Sequence, residues 1–224
     1  MALKDKLRRF YQVVSLLIIE GLLLFFSAGS WQWIWAWIYI FLQLIMIVSN
    51  GLLLQGDLIE ERGRKSKNVK KWDKLLNSIN AIPTLLMYVI CGLDFRFAWT
   101  GNILIIFHIS GLLIIVAGSL VFTFSMKANR YFSTLVKIEP EKGHYVAQSG
   151  PYKVIRHPGY MGYIFMTIGT PVALGTLWGL IPAIITAIIF IIRTAFEDKT
   201  LIKELPRYYE YTQKVKYRLL PFLW

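Results

Sequence analysis

The sequence predicts an all-α integral membrane protein with about six transmembrane helices. Of its 224 residues, 56% are hydrophobic and only 17% are charged, and the charged residues stand in a few blocks between long apolar runs. A helix needs about 20 mostly apolar residues to cross a bilayer, and several of these runs are that long. The composition excludes a disordered chain, and the single cysteine excludes an internal disulfide.

Four apolar runs in the first part of the chain predict the first four spans. They lie at 11–28, 31–54, 75–93 and 102–125. Only Gly29 and Ser30 separate the first two runs, which indicates a tight turn between the corresponding helices.

The last apolar block, 160–192, is too long for one straight span. As a single helix it would extend about 50 Å, whereas the apolar core of a bilayer is about 30 Å thick. Its centre holds two prolines and two glycines, namely Pro171, Gly175, Gly179 and Pro182. These residues predict a turn between two short helices that form a hairpin, which gives six spans. One kinked helix, which gives five spans, is the alternative.

The basic residues predict the orientation in the membrane. Lys and Arg number 25 against 13 acidic residues, a net charge of +12. All but Arg96 lie in four segments, at 1–10, 55–74, 126–159 and 193–224. Because cytoplasmic loops are enriched in Lys and Arg, both termini and the two internal segments are expected on the cytoplasmic side. The same segments are expected to attract anionic lipid headgroups, and nucleic-acid binding is disfavoured in so apolar a chain.

Isolated polar residues inside the apolar runs are less informative. Cys91 is expected to be a small packing residue, and the three histidines lack the spacing of a zinc site, so no metal is expected. Glu20 lies inside the first span, where an ionisable side chain is costly and often functional. A hydrogen bond to a neighbouring helix and a role in the site are both compatible with its position.

Two segments on the expected cytoplasmic side contain more specific residues than topology requires. One reads GHYVAQSGPYKVIRHPGYMG, at 143–162, and the other reads RTAFEDKTL, at 193–201. Arg193 and Glu197 are four residues apart, so they share one face of a helix. An interfacial ion pair is one interpretation. In the other, Arg193 holds an anionic group and Glu197 holds a cationic cofactor.

With the C-terminal segment ELPRYYEYTQKVKYRLLPFLW, these motifs resemble the isoprenylcysteine carboxyl methyltransferase family and its prokaryotic relatives, a group similar to phospholipid N-methyltransferases. The resemblance covers about the last 100 residues. It implies one membrane methyltransferase domain over 1–224, with N-terminal transmembrane helices at 1–125 and a cofactor-binding and catalytic region at 126–224. It also implies S-adenosylmethionine as cofactor, and the chain has no GxGxxG unit of a soluble dinucleotide-type fold.

The implied cofactor contacts lie in the loop that enters the last hairpin and in the helix that leaves it. They are His144, Tyr145, Val146, Ala147, Tyr152, His157, Pro158, Gly159, Tyr160 and Glu197. Arg193 matches the family's substrate-facing arginine, so Arg193 and Glu197 are the expected catalytic residues. Lys137 departs from the family, whose eukaryotic members carry a glutamine at this cofactor contact.

The implied reaction is carboxyl O-methylation of an isoprenylcysteine-like or other lipophilic acceptor that enters from the bilayer. A carboxylate is already ionised near pH 7, so this reaction needs no strong general base. Methylation of a phospholipid or other lipid amine is the alternative and would need a base. An NADPH-dependent sterol-type reductase fits the arrangement of Arg193, Glu197 and Asp198 less well. A non-enzymatic scaffold or transporter leaves the motifs unexplained.

Overall fold

A computed structural model describes residues 2–54, 69–138, 141 and 143–224. Over these ranges the protein contains seven α-helices and no β-strand, apart from an isolated bridge between Ile155 and Tyr217. The helices are α1 (Ala2–Ala28), α2 (Ile34–Leu53), α3 (Lys71–Phe97), α4 (Ile105–Ala128), α5 (Pro158–Leu174), α6 (Leu180–Glu204) and α7 (Tyr208–Lys214). The prediction of an all-α fold is therefore confirmed for the part of the chain that is described.

Within the described ranges, five helical segments are long and apolar enough to cross a membrane, which indicates a multi-pass membrane protein. They are Leu3–Ala28, Ile34–Leu53, Lys71–Phe97, Ile105–Ala128 and Leu177–Glu204. Helix α5 has 17 residues and is shorter than the roughly 20 residues of a typical span. Six crossings therefore stay a prediction. Most of the basic segment predicted at 55–74 lies outside the described residues.

The last apolar block is divided into two helices rather than continued as one kinked helix. Gly175 follows α5 in the left-handed backbone conformation, with φ of 76°, which glycine adopts without steric cost. Beyond this turn, α6 runs back along α5, since the rings of Tyr163 and Phe190 lie 4.4 Å apart and Tyr160 contacts Glu197. The break thus brings the RHPGY motif beside the RTAFED motif.

Helices α4 and α5 touch each other through glycines. A β-carbon built on Gly162 would lie 2.5 Å from the carbonyl oxygen of Gly118, and one built on Gly169 would lie 2.9 Å from that of Gly111. Each helix carries two such glycines seven residues apart, so they share one face. Small residues let backbones approach this closely in membrane proteins, where apolar helix surfaces alone give little preference for one partner.

Two isolated residues from the sequence have structural roles. Cys91 is fully buried in the main apolar core, beside Leu24 and Met87, as expected of a packing residue. Glu20 accepts a weak hydrogen bond from the Tyr39 hydroxyl at 3.5 Å, across the α1–α2 contact. The contact favours the structural interpretation of Glu20.

The bundle has two different ends. The turn end carries the short connections 29–33, 98–104 and 175–179. Buried Asp94 joins two of them: its carboxylate accepts from the Thr100 backbone N–H at 2.7 Å and from the Trp178 backbone N–H at 3.2 Å. The cleft end carries the long segments 129–157 and 205–224, and every specific motif of the sequence lies there.

Candidate functional site

A cleft opens at the cleft end, between the segment that follows α4, the first turn of α5, the last turns of α6, and α7. Its empty volume is about 760 Å³, a figure that includes the part open to solvent. Aromatic rings, aliphatic side chains, a few ionisable groups and the neutral polar side chains of Asn129 and Ser133 line it. Because sequence-distant segments converge there, the cleft exists only in the folded chain.

Nine of the ten residues predicted to contact a cofactor line this one cleft. They are His144, Tyr145, Val146, Ala147, Tyr152, His157, Gly159, Tyr160 and Glu197. The tenth, Pro158, is buried as the first residue of α5, a position where its missing N–H costs nothing. Lys137, the position that departs from the family, also lines the cleft and is buried.

Sequence reasoning missed several aromatic residues of the cleft. Tyr131 stacks on the ring of His144 with centroids 4.3 Å apart, and its hydroxyl donates to the Gly143 carbonyl at 3.0 Å. Phe132 packs so close to Gly159 that a β-carbon there would lie 2.5 Å from its ring. Tyr208 and Tyr211 of α7 complete the lining. The tyrosines of YYEY were a signal for the last two, but nothing local marked Tyr131 or Phe132.

Among the described residues that line the cleft, Glu197 is the only acidic one. It is partly exposed, and its Oε2 accepts a hydrogen bond from the Tyr160 hydroxyl. The second carboxylate oxygen makes no hydrogen bond within the described part of the chain. Glu197 is thus held in place on one side and keeps a negatively charged oxygen for a cationic group.

Asp198, the neighbour of Glu197, has the opposite environment. It is fully buried and binds Arg156 through two hydrogen bonds, of 2.9 and 2.8 Å. It also accepts from Arg218 Nε at 2.9 Å and from the Tyr208 hydroxyl at 2.9 Å, and His157 Nε2 lies 3.2 Å away. One carboxylate therefore connects α6, the start of α5, α7 and the C-terminal segment.

The tyrosines below the cleft are held in the protonated form. Burial raises the pKa of the Tyr208 hydroxyl well above its ordinary value, and the charge of Asp198 adds to the increase. Burial likewise raises the pKa of Tyr211, whose hydroxyl donates to the Tyr152 carbonyl at 2.7 Å. Both groups therefore act as hydrogen-bond donors that fix the floor of the cleft.

Arg193 does not line the cleft, and its ion pair is with Asp73 rather than with Glu197. The guanidinium is 3% exposed, and its Nε donates to Asp73 Oδ1 at 2.7 Å. Its centre lies 4.9 Å from the centroid of the Tyr160 ring, on which it makes a cation–π contact. Arg193 is thus one aromatic ring away from the cleft. The ion pair between Arg193 and Glu197, one of the two interpretations from spacing, is wrong.

No group of three or more His, Cys, Asp or Glu side chains in the described ranges has the arrangement of a metal site. The buried carboxylates Asp198 and Asp73 are instead paired with arginines.

Residues 109–203 match the model of the isoprenylcysteine carboxyl methyltransferase (ICMT) family. Protein-S-isoprenylcysteine O-methyltransferase B of Arabidopsis thaliana is 32% identical over 108 residues, which are 47% of this chain and 55% of the relative. The protein-S-isoprenylcysteine O-methyltransferase of Saccharomyces cerevisiae is 31% identical over 113 residues, 47% of this chain and 45% of the relative. A probable protein-S-isoprenylcysteine O-methyltransferase of Oryza sativa subsp. indica is 31% identical over 116 residues, 50% of this chain and 60% of the relative.

The chain spans about half the length of the curated relatives it matches. The matched region includes α5, most of α4 and of α6, and the segment between α4 and α5 that walls the cleft. The resemblance inferred from the motifs is thereby confirmed: residues 109–203 match the model of the isoprenylcysteine carboxyl methyltransferase family, and the curated relatives align with about half of this chain.

Proposed function

We propose that this protein is a membrane methyltransferase that transfers a methyl group from S-adenosylmethionine to the carboxylate of a lipophilic, isoprenylcysteine-like acceptor. The family match and the activity for which the relatives are named support the reaction class. The observation that carries the proposal is the convergence of nine motif residues on one cleft, with a buried arginine one ring away.

The lining of the cleft suits the proposed cofactor, which combines a flat aromatic base with cationic and polar groups. The rings of Tyr131, His144 and Tyr145 offer stacking surfaces at one wall. The free oxygen of Glu197 would attract a positively charged group. Residues 144–147, Tyr152, His157 and Gly159 would complete the contacts. When bound, the cofactor supplies an electrophilic methyl group attached to a positively charged sulfur.

The protein's own contribution would be alignment, charge compensation and exclusion of water. Arg193 would hold the acceptor carboxylate at the membrane side of Tyr160, and Glu197 would balance positive charge in the cleft. Aligning two reactants in a closed site accounts for a large part of catalysis when no proton has to be removed. No general base is required, because the acceptor carboxylate is ionised near pH 7.

Topology and domain organisation form part of the proposal. The cleft end would face the cytoplasm with both termini, and the chain would cross six times, which places the basic segments inside. Residues 1–224 would act as a single domain, since Asp73 of α3 and Arg193 of α6 form a buried ion pair across the boundary drawn at 125. The lipid tail of the acceptor would enter sideways from the bilayer, while the soluble cofactor would enter from the cytoplasm.

Two assays on the purified protein test the reaction class. Calorimetry is expected to detect binding of S-adenosylmethionine and of its demethylated product, with no binding of NADPH. Incubation with labelled S-adenosylmethionine and a panel of prenylcysteine, phospholipid, fatty acid and thiol acceptors then identifies the product. Base-labile label on a prenylcysteine supports an ester. Stable label on a phospholipid amine, or binding of NADPH alone, would contradict the proposal.

Glu197→Gln tests the cofactor site. The substitution keeps the shape but removes the charge, so the cofactor Kd is expected to rise about 10-fold or more, as for loss of a hydrogen bond to a charged group. Calorimetry measures the change. Glu204→Gln is the matched control, because Glu204 is an acid of the same helix that pairs with Lys70 outside the cleft. Equal cofactor affinity in both variants would argue against the assignment of Glu197.

A further inference from the structure

Asp73 lies at the cleft end but outside the family match. It belongs to the first turn of α3, whereas the matched region begins at 109. Its side chain is fully buried, and Oδ1 accepts from Arg193 Nε at 2.7 Å. Oδ2 accepts from Arg193 Nη2 at 3.3 Å and from the Val136 backbone N–H at 2.7 Å. Both oxygens are therefore used within the protein.

These contacts connect Arg193 to the wall of the cleft. Nη2 of Arg193 also donates to the Thr134 carbonyl at 2.7 Å, and Val136 lines the cleft itself. A guanidinium is a rigid planar fork with donors along three edges, so holding the edge formed by Nε and Nη2 fixes the direction of the remaining donors. Nη1 makes no hydrogen bond to the described residues.

We propose that Asp73 is a positioning residue. It binds one edge of the Arg193 guanidinium and thereby directs Nη1 toward the carboxylate of the methyl acceptor. The proposal rests on the function proposed above. Asp73 has a second effect through its charge. An unbalanced buried guanidinium would hold the acceptor carboxylate tightly and lower its reactivity, whereas the paired guanidinium orients the carboxylate and holds it less tightly.

Asp73→Asn separates this role from a merely structural one. The variant keeps the shape but loses the charge and one acceptor. We expect kcat to fall about 100-fold, because misplacement of a reacting group by about 1 Å has that effect. The KM for a prenylcysteine acceptor is expected to stay equal or decrease, and the cofactor Kd is expected to stay within threefold. An unchanged kcat would overturn the proposal. A lower kcat accompanied by increases in both the acceptor KM and the cofactor Kd would overturn it as well.

Asp73→Glu provides rescue. It restores the negative charge one methylene farther from the backbone, so its kcat is expected to lie between those of Asp73→Asn and the unmodified protein. If Asp73→Glu folds, binds cofactor and is no faster than Asp73→Asn, the charge of Asp73 is not what matters and the proposal fails.

A double variant tests whether Asp73 acts through Arg193. In an Arg193→Lys background the planar fork is absent, so adding Asp73→Asn is expected to lower kcat by less than threefold. Residues that act through one another show this non-additivity. A full further loss of about 100-fold would show that Asp73 acts independently of Arg193 and would overturn the proposal.

Binding without turnover distinguishes failure of this proposal from failure of the proposed function. Calorimetry compares a prenylcysteine carboxylate with its methyl ester. Asp73→Asn is expected to widen the preference for the carboxylate about tenfold, since it removes a negative charge near Arg193 at an effective dielectric constant of about 20. If the variant shows a stronger preference for the carboxylate over the ester but the protein methylates no acceptor, the proposed methyltransferase function is wrong and the role of Asp73 is supported. A weaker preference for the carboxylate would overturn the role of Asp73.

Asp94→Asn is the matched control. Asp94 is also a buried carboxylate of α3, but it anchors the turn end. Its substitution is expected to lower thermal stability and to leave kcat, the acceptor KM and the carboxylate preference unchanged. Equal kinetic effects in the two variants would mean that any buried acid of α3 matters in the same way, which would overturn a positioning role for Asp73.

Discussion

The two ends of the bundle are closed by different means. At the turn end, connections of a few residues are joined by one buried carboxylate, Asp94, that accepts hydrogen bonds from backbone N–H groups. At the cleft end, Asp198 binds two arginines and a tyrosine, and Asp73 binds Arg193 and a backbone N–H. The turn end uses neutral donors, whereas the cleft end uses ion pairs.

The difference follows from the length of the segments that have to be held. A connection of a few residues loses little conformational entropy when it is fixed, so a single cap is sufficient. Outside α7 and the short helical turn Gly150–Lys153, the described residues of 129–157 and 205–224 contain little regular structure, and their order depends on long-range contacts. Arginine suits this task because it reaches far and makes paired hydrogen bonds with a carboxylate. The cleft is the space that these anchored segments enclose.

The largest expected effect is that of Asp198→Ala. Removal of one partner from a buried ion pair leaves the other charge uncompensated, which typically costs about 3–5 kcal/mol. Here Arg156 is buried and loses its carboxylate. We expect a strongly lowered melting temperature in detergent, together with loss of cofactor binding. Asp94→Ala at the turn end is the comparison and is expected to cost about 1–3 kcal/mol, the range for unsatisfied neutral donors. Equal losses would remove the distinction between the two ends.

The contact between α4 and α5 joins the two ends, and Gly162→Ala tests it. The added β-carbon would lie 2.5 Å from a backbone oxygen, so the helices must separate, at an expected cost of about 2 kcal/mol. Gly51→Ala is the matched control, because Gly51 lies within α2 with nothing within 4 Å of an added β-carbon. It is expected to be neutral or stabilising by up to about 1 kcal/mol. Thermal unfolding of both variants measures the difference.

The smallest expected effect at the cleft end is that of Lys70→Ala. Lys70 binds Glu204 with Nζ–O distances of 2.7 and 2.6 Å, but both side chains are partly exposed. Surface ion pairs contribute about 0–1 kcal/mol and are screened by salt. The melting temperature is therefore expected to fall slightly at low salt and not at high salt. A loss as large as that of Asp198→Ala would show that exposed pairs, too, hold the cleft end.

Hydropathy predicted the helices well because a span is a local property of the chain. The first four apolar runs all correspond to helices, although α1 begins at Ala2 and α3 extends to Phe97, beyond the apolar runs. The apolar residues decide which part of a helix lies in the membrane. The helix itself can continue beyond them, because its backbone hydrogen bonds do not depend on apolar side chains. The division near Gly175 was predicted from proline and glycine alone.

The candidate site was predicted in part. Motif resemblance found nine lining residues of the cleft, but not Tyr131 and Phe132, which lie in a segment without a local pattern. The role of Asp198 as a shared anchor was also missed, because the adjacent acids Glu197 and Asp198 look alike in the sequence. Their difference in burial depends on the segments that fold over α6.

The sequence by itself determined the membrane class, the approximate position of each helix, the clustering of positive charge and the motif residues of the cleft. The first three are local properties of composition and hydropathy, whereas the motif residues followed from the resemblance to a known family. Only the tertiary structure decided which charges are paired. Arg193 stands four residues from Glu197 but binds Asp73, 120 residues away, because a buried guanidinium is stabilised by the carboxylate that packing brings to it, not by the nearest one in the chain.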